Sequence, residues 1–125
     1  MAKVFCIANQ KGGVGKTTTA VNLAASLAVG EYRTLLIDLD AQANATSGLG
    51  LEKTEGGSVY RPLLGGGTLA ERVKATACAN LWMLPSELDL CGAEVELARS
   101  ENHLQRLHAI LQPVRESGGF DLVIM

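Results

Sequence analysis

The run Lys11-Gly12-Gly13-Val14-Gly15-Lys16-Thr17-Thr18 holds the residue types and spacing best suited to chemistry in this chain. Gly12, Gly13 and Gly15 let the backbone fold tightly enough for successive N–H groups to converge on an anion. Lys16 is placed to reach the β- and γ-phosphates of a nucleotide, and the Thr17 hydroxyl to ligate Mg²⁺. The common spacing G-x-x-x-x-G-K-[ST] asks for glycine at position 10, where this chain has Gln10. The run carries instead a second lysine, Lys11, five residues before Lys16. A second cation at the mouth of such a loop suits its own phosphates poorly and suggests a charge aimed across an interface.

Two carboxylates follow in Arg33-Thr34-Leu35-Leu36-Ile37-Asp38-Leu39-Asp40. The apolar run reads as a buried strand, and its period of two puts Asp38 and Asp40 on one face at the C-terminal end. In open α/β sheets ligands sit at that end. Near a triphosphate, one carboxylate can hold Mg²⁺ through a water and the other can orient an attacking water. The bland alternative is an acidic turn that caps the following segment; beside the glycine loop, the functional reading is preferred.

These residues need rigid elements to position them. Val4 to Ala8 is a short apolar run that reads as a buried strand, and Thr18 to Val29 reads as a helix packed deep against a sheet, with Gly30 to end it. Strand, glycine loop and helix together place phosphates at a helix N-terminus, where the dipole favours anions. Strands are expected near residues 3–9, 33–39, 80–84 and 120–125, in a parallel sheet. Glu52 to Gly67, rich in glycine, reads as loop and short turns. Thr68 to Thr76 is expected to form one short helix, and Gly92 to Arg99 another. Ser100 to Ser117 reads as a helix with Leu104, Leu107, Leu111 and Val114 on one face, capped by Ser100 and kinked or shortened by Pro113. Trp82 reads as core, and His103 and His108 as solvated or capping residues.

The 125 residues allow one domain, and the net charge of −2 argues against nucleic-acid binding by this segment. No acidic residue precedes Glu31, whereas Lys3, Lys11 and Lys16 do, so the loop end is locally positive. No signal peptide and no uncharged apolar span long enough for a membrane helix is visible, which reads as a cytosolic protein. Cys6, Cys78 and Cys91 lack C-x-x-C spacing and sit in apolar stretches, and read as small hydrophobes in a reducing compartment.

With the string L-L-I-D-L-D-A-Q-A-N-A-T-S-G-L-G after the K-G-G-V-G-K-T-T loop, the chain resembles the deviant Walker-A ATPases of the ParA/Soj partition type, within the wider ParA/MinD superfamily. The likeness continues through Leu84-Pro85-Ser86-Glu87-Leu88-Asp89-Leu90, Gly92 to Ala98 and Phe120 to Ile124, and so covers nearly the whole chain. The chain departs from the family in having Ala41 and Ala43 where proline and glycine are usual, which is expected to loosen or alter the turn after Asp40.

The resemblance implies a P-loop NTPase-like α/β fold binding ATP and Mg²⁺. It implies Lys11 as the signature lysine reaching a partner subunit's phosphates across an ATP-sandwich homodimer, and Lys16 as the lysine on the bound nucleotide's own phosphates. Thr17 would be the magnesium ligand with Asp38 behind it, and Asp40 would position water for hydrolysis. Gly12, Gly13, Val14, Gly15 and Thr18 would complete the phosphate cradle. The implied function is DNA segregation, chromosomal or plasmid, through ATP-dependent dimerisation and non-specific DNA binding, with a DNA-binding adaptor as partner, in the bacterial cytoplasm on the nucleoid and not at a membrane. Relatives with the same loop position division sites or protein cargo, and a non-catalytic nucleotide-binding fragment is a third reading. Phe120 to Met125 reads as the strand that carries Walker B, whose aspartate would fall at position 126. Residues 1–125 are therefore expected to be the N-terminal half of a single such domain.

Overall fold

Alternation of side chains along the strands divides the molecule into two cores, one on each face of a single sheet. The structure is a computed structural model and describes residues 1–7, 15–92 and 105–125. Five strands, β1 (Lys3–Phe5), β2 (Thr34–Ile37), β3 (Lys74–Ala75), β4 (Leu81–Leu84) and β5 (Leu122–Ile124), lie in the order β1-β5-β2-β4-β3. The pairs β1/β5, β5/β2 and β2/β4 are parallel, and β3 joins β4 antiparallel at the far edge. The helices are α1 (Lys16–Val29), α2 (Asn44–Gly48), α3 (Tyr60–Leu63) and α4 (Arg106–Glu116).

One core gathers Leu35, Ile37, Leu84 and Val123 with Leu63 of α3 and Leu111 and Val114 of α4. The other gathers Leu36, Leu81, Met83 and Ile124 with Ala20, Ala24 and Ala28 of α1 and Ala45 of α2. The sheet is thus covered on both faces, the arrangement parallel strands require. All four residues of β2 are buried, which explains its unbroken apolar run. The spacing of Ala20, Ala24 and Ala28 at every fourth position puts three small side chains on one stripe, so α1 lies close against the sheet.

Several expectations are corrected. The run Val4 to Ala8 reads as a buried strand, yet β1 lies at an open edge and Phe5 is 47% exposed. Its ladder to β5 extends past Phe5, through the Ile7 N–H to the Met125 carbonyl at 2.7 Å; Ala8 and Asn9 lie outside the described residues. α1 buries only its alanine stripe, leaving Leu23 and Val29 exposed. Thr68 to Thr76 is not one helix: a single 3₁₀ turn at Ala70–Arg72 gives way to β3, because Lys74 and Ala75 complete the edge of β4. The sheet is therefore mixed rather than wholly parallel. The loop from Glu52 to Gly67 includes the one-turn helix α3, which contributes Leu63 to the core.

Of the helix expected over Ser100–Ser117, α4 occupies Arg106–Glu116. Leu111 and Val114 are buried and Leu107 packs on the core, as the spacing predicts. Leu104, His103 and the cap at Ser100 lie outside the described residues, as does Ala93 to Arg99 of the helix expected from Gly92. Gly92 itself ends a 3₁₀ turn, Leu88–Gly92. Pro113 does not end α4, since it sits on the exposed side and the helix continues to Glu116. Trp82 packs against the core and meets Phe120 edge-on, with ring centroids 5.5 Å apart. Cys6 and Cys91 are exposed and Cys78 is half-buried, so these thiols are not the buried small hydrophobes their apolar neighbours suggested.

Candidate nucleotide site

The parallel strands β1, β5 and β2 all end on the same side, and a cleft of about 380 Å³ opens there. Its walls carry Cys6, Ile7 and Met125 from the strand ends, Lys16 and Thr17 from the start of α1, and Asp38 and Asp40 from beyond β2. The fold therefore brings four of the polar residues singled out in the sequence to one place. A larger cleft, about 590 Å³, lies against α4 and β4 and is lined by Leu69, Val73, Trp82, Ile110 and Phe120 with no charged side chain. It has nothing to hold a polyphosphate.

The first turn of α1 is built to receive an anion. Gly15, its N-cap, takes φ +88°, a left-handed angle that side-chain-bearing residues adopt at a cost. It offers no side chain to cap the helix, and the first turn holds no acidic residue. Thr19 N–H bonds the Gly15 carbonyl at 2.9 Å and starts the helical ladder. The N–H groups ahead of it have no partner in the helix by construction of an α-helix, and the positive end of the dipole lies there too. Lys16 and Thr17 are half-buried, while Thr18 is exposed. Lys11, Gly12, Gly13 and Val14 lie outside the described residues.

The two aspartates take different roles in the local structure. β2 ends at Ile37, so Asp38 and Asp40 follow the strand rather than sit on one face of it. Asp38 is buried, 5% exposed; its Oδ1 accepts the Asp40 N–H at 3.0 Å and its Oδ2 accepts the Thr46 N–H at 3.0 Å and the Thr46 hydroxyl at 2.6 Å. Asp40 is exposed, and its Oδ1 accepts the Gln42 N–H at 3.0 Å. Each aspartate thus closes a short turn on the residue two positions on. The turn after Asp40 is closed with Ala43 in it. The Ala43 N–H bonds the Asp40 carbonyl at 2.8 Å, and Ala43 takes the left-handed angle, φ 59°, that glycine would take without strain. Being fully buried, its methyl is held in that conformation by packing.

Sequence reasoning did not single out Thr46, which holds Asp38, or Ser86, whose hydroxyl donates to the Asp40 carbonyl. The available signal was a hydroxyl residue placed directly beside apolar core positions in each of two strings the resemblance already quoted. The donor set of the cleft, a hydroxyl and two carboxylates, is of the hard oxygen type that suits Mg²⁺. Among the described residues no cluster of three or more His, Cys, Asp or Glu forms a protein-only metal cage.

Comparisons with known proteins agree with this geometry. The family model described as an AAA domain matches residues 2–125. The chain is 46% identical over 126 residues to the chromosome partitioning protein ParA of Myxococcus xanthus, covering 100% of this chain and 44% of that protein. It is 44% identical over 126 residues to the sporulation initiation inhibitor protein Soj of Bacillus subtilis, covering 100% of this chain and 49% of that protein. The chain thus spans about half the length of the curated relatives it matches. Among solved structures, cobyrinic acid a,c-diamide synthase from Mycobacterium smegmatis with bound ADP and magnesium superposes with a TM-score of 0.91 at 37% identity, over 99% of this chain and 50% of that one. The α/β sheet with flanking helices is accordingly the P-loop NTPase fold of ParA/MinD-type proteins, over about half of its extent. The chain belongs to this AAA domain family, and its relatives within it include ParA and Soj.

Proposed function

We propose that this chain is the N-terminal half of a Mg²⁺-dependent ATPase that partitions DNA. The observation that carries the reading is the meeting of Lys16 and Thr17, at the start of α1, with Asp38 and Asp40 in one cleft at the strand ends. Its identity to the chromosome partitioning protein ParA of Myxococcus xanthus, over less than half of that protein's length, supports both the task and the half-domain assignment.

In this reading the backbone N–H groups around Gly15 and the Lys16 ammonium neutralise the phosphates, while Gly12, Gly13, Val14 and Thr18 complete the cradle. Thr17 would hold Mg²⁺, with Asp38, whose two oxygens already accept protein donors, behind it. Bound Mg²⁺ supplies charge neutralisation to the β- and γ-phosphates. Asp40 holds the attacking water, and Lys11 acts on the nucleotide of a second copy in a homodimer that sandwiches ATP. Dimers then bind DNA non-specifically, mainly through the other half, and a DNA-binding adaptor stimulates turnover. The protein works in the bacterial cytoplasm on the nucleoid, away from membranes.

A cation supplied in trans to a transferring phosphoryl group is worth about 10³-fold or more in rate. Lys11→Ala in the complete polypeptide is therefore expected to cut ATP turnover by about that factor while monomers still bind nucleotide. Undiminished turnover by Lys11→Ala would refute the assignment.

A further inference from the structure

The two aspartates of the cleft are tied into a closed ring of hydrogen bonds by two hydroxyl residues to which the proposed function gives no task. Asp38 joins the Asp40 N–H through one oxygen and Thr46 through the other. Thr46 Oγ1 accepts the Ser86 N–H at 3.0 Å, and the Ser86 hydroxyl donates to the Asp40 carbonyl, closing the ring. Thr46 and Ser86 have no exposed surface. Asp40 is exposed, yet its backbone N–H and carbonyl are both held by this buried ring, and it lines the cleft.

We infer that Thr46 and Ser86 are positioning residues for ATP hydrolysis: they grip the backbone of Asp40 on both sides and so aim its carboxylate at the attacking water. The inference rests on the reading of Asp40 given above. Hydrogen bonds in a buried, fully satisfied network reinforce one another and rigidify what they hold. Rigid placement matters because a displacement of about 1 Å at a reacting centre can cost on the order of 10²-fold in rate. The ring also explains the Pro85-Ser86-Glu87 segment at the end of β4. Ser86 fastens the aspartate turn, and the next residue, Glu87, fastens the neighbouring loop by accepting the Ser58 hydroxyl at 2.6 Å and the Gly56 N–H at 2.8 Å. One strand end thereby sets the position of the aspartate turn and of the loop beside it.

The test is single-turnover hydrolysis of MgATP by the complete polypeptide, alongside equilibrium binding of a non-hydrolysable ATP analogue. Ser86→Ala and Thr46→Val are each expected to slow hydrolysis about tenfold or more, with the analogue's Kd changed by less than about twofold. Thr46→Ser, which keeps the hydroxyl, is expected to recover most of the rate. Asp40→Asn is measured in parallel. An inactive Asp40→Asn beside Ser86→Ala and Thr46→Val enzymes that retain the parent rate overturns the positioning role and leaves Asp40's role standing. An Asp40→Asn enzyme that hydrolyses at the parent rate removes the reading on which the inference rests. Slowed hydrolysis with an equal loss of analogue affinity reports general damage to the site and also overturns the positioning role. If either Ser86→Ala or Thr46→Val fails to unfold cooperatively, the other reads the ring from its opposite side.

Discussion

At Gly15 a backbone angle, rather than a crowded neighbour, excludes a side chain. A Cβ built there meets no atom of the described residues within 4 Å, yet φ is +88°. Gly15→Ala is therefore expected to destabilise the fold by about 1–2 kcal/mol through the left-handed angle alone, readable as a lowered urea midpoint with an unchanged slope. The same angle costs this chain something at Ala43, where φ is 59° and the methyl is fully buried. Departure from the family's glycine did not undo the turn, because the Asp40 carbonyl and the Asp38 carboxylate hold it from outside the residue itself. That outcome was not legible in the local string. It depends on Thr46 and Ser86, six and 46 positions away along the chain from Asp40.

Elements in this molecule stop where backbone geometry and long-range pairing say, not always where the punctuating residue stands. α1 ends at Val29 with Gly30 as its C-cap, as expected, yet Gly30 has an ordinary φ of −76° and Glu31 takes the left-handed position, φ 69°. The Tyr32 N–H bonds the Leu27 carbonyl and the Glu31 N–H the Ala28 carbonyl, the paired bonds of a Schellman motif displaced one residue past the glycine. Glu31→Gly is expected to stabilise the protein by about 1 kcal/mol, seen as a raised thermal midpoint, since it removes the left-handed penalty at an exposed site. At the start of β2 and β5, Arg33 grips Asp121 through both its guanidinium, 3.1 Å away, and its backbone N–H, 2.8 Å away. Those hydrogen bonds from Arg33, with its charge, hold the Asp121 carboxyl below the usual carboxylate range. A depressed folded-state pKa gives a contribution to stability that is present above the unfolded-state value, about 4, and lost as pH falls through the lower folded one. Asp121→Asn is thus expected to destabilise at pH 7, with the difference shrinking as pH falls below about 4 and vanishing only below the lower folded-state value, read in urea titrations. Both side chains are substantially exposed, so the difference should be modest and shrink with added salt.

For the molecule as a whole, the decisive feature is an uneven sheet. β5 and β2 are interior, while among the described residues no strand pairs with the outer edge of β1. Lys3, Phe5 and Ile7 use their backbone groups on β5, which turns those of Val4 and Cys6 outward. An open edge with exposed Phe5 invites pairing with another chain. The 125-residue chain alone is expected to associate in gel filtration as its concentration rises, whether or not MgATP is present. A concentration-independent monomer would show that the edge is not available for pairing. Local chemistry sufficed to read much of this protein. The apolar run of β2 and the helix over Thr18 to Val29 each specify their own element, because period and turn residues act over a few positions. Folding decided what local signals do not carry. It put β5 between β1 and β2, turned an apolar first strand into an edge and drew Lys74 and Ala75 into β3. It also closed the ring from Asp38 through Thr46 and Ser86 back to Asp40. Each of these joins segments far apart in the chain, and the free energy that selects them comes from burial and hydrogen bonds that exist only once the segments have met.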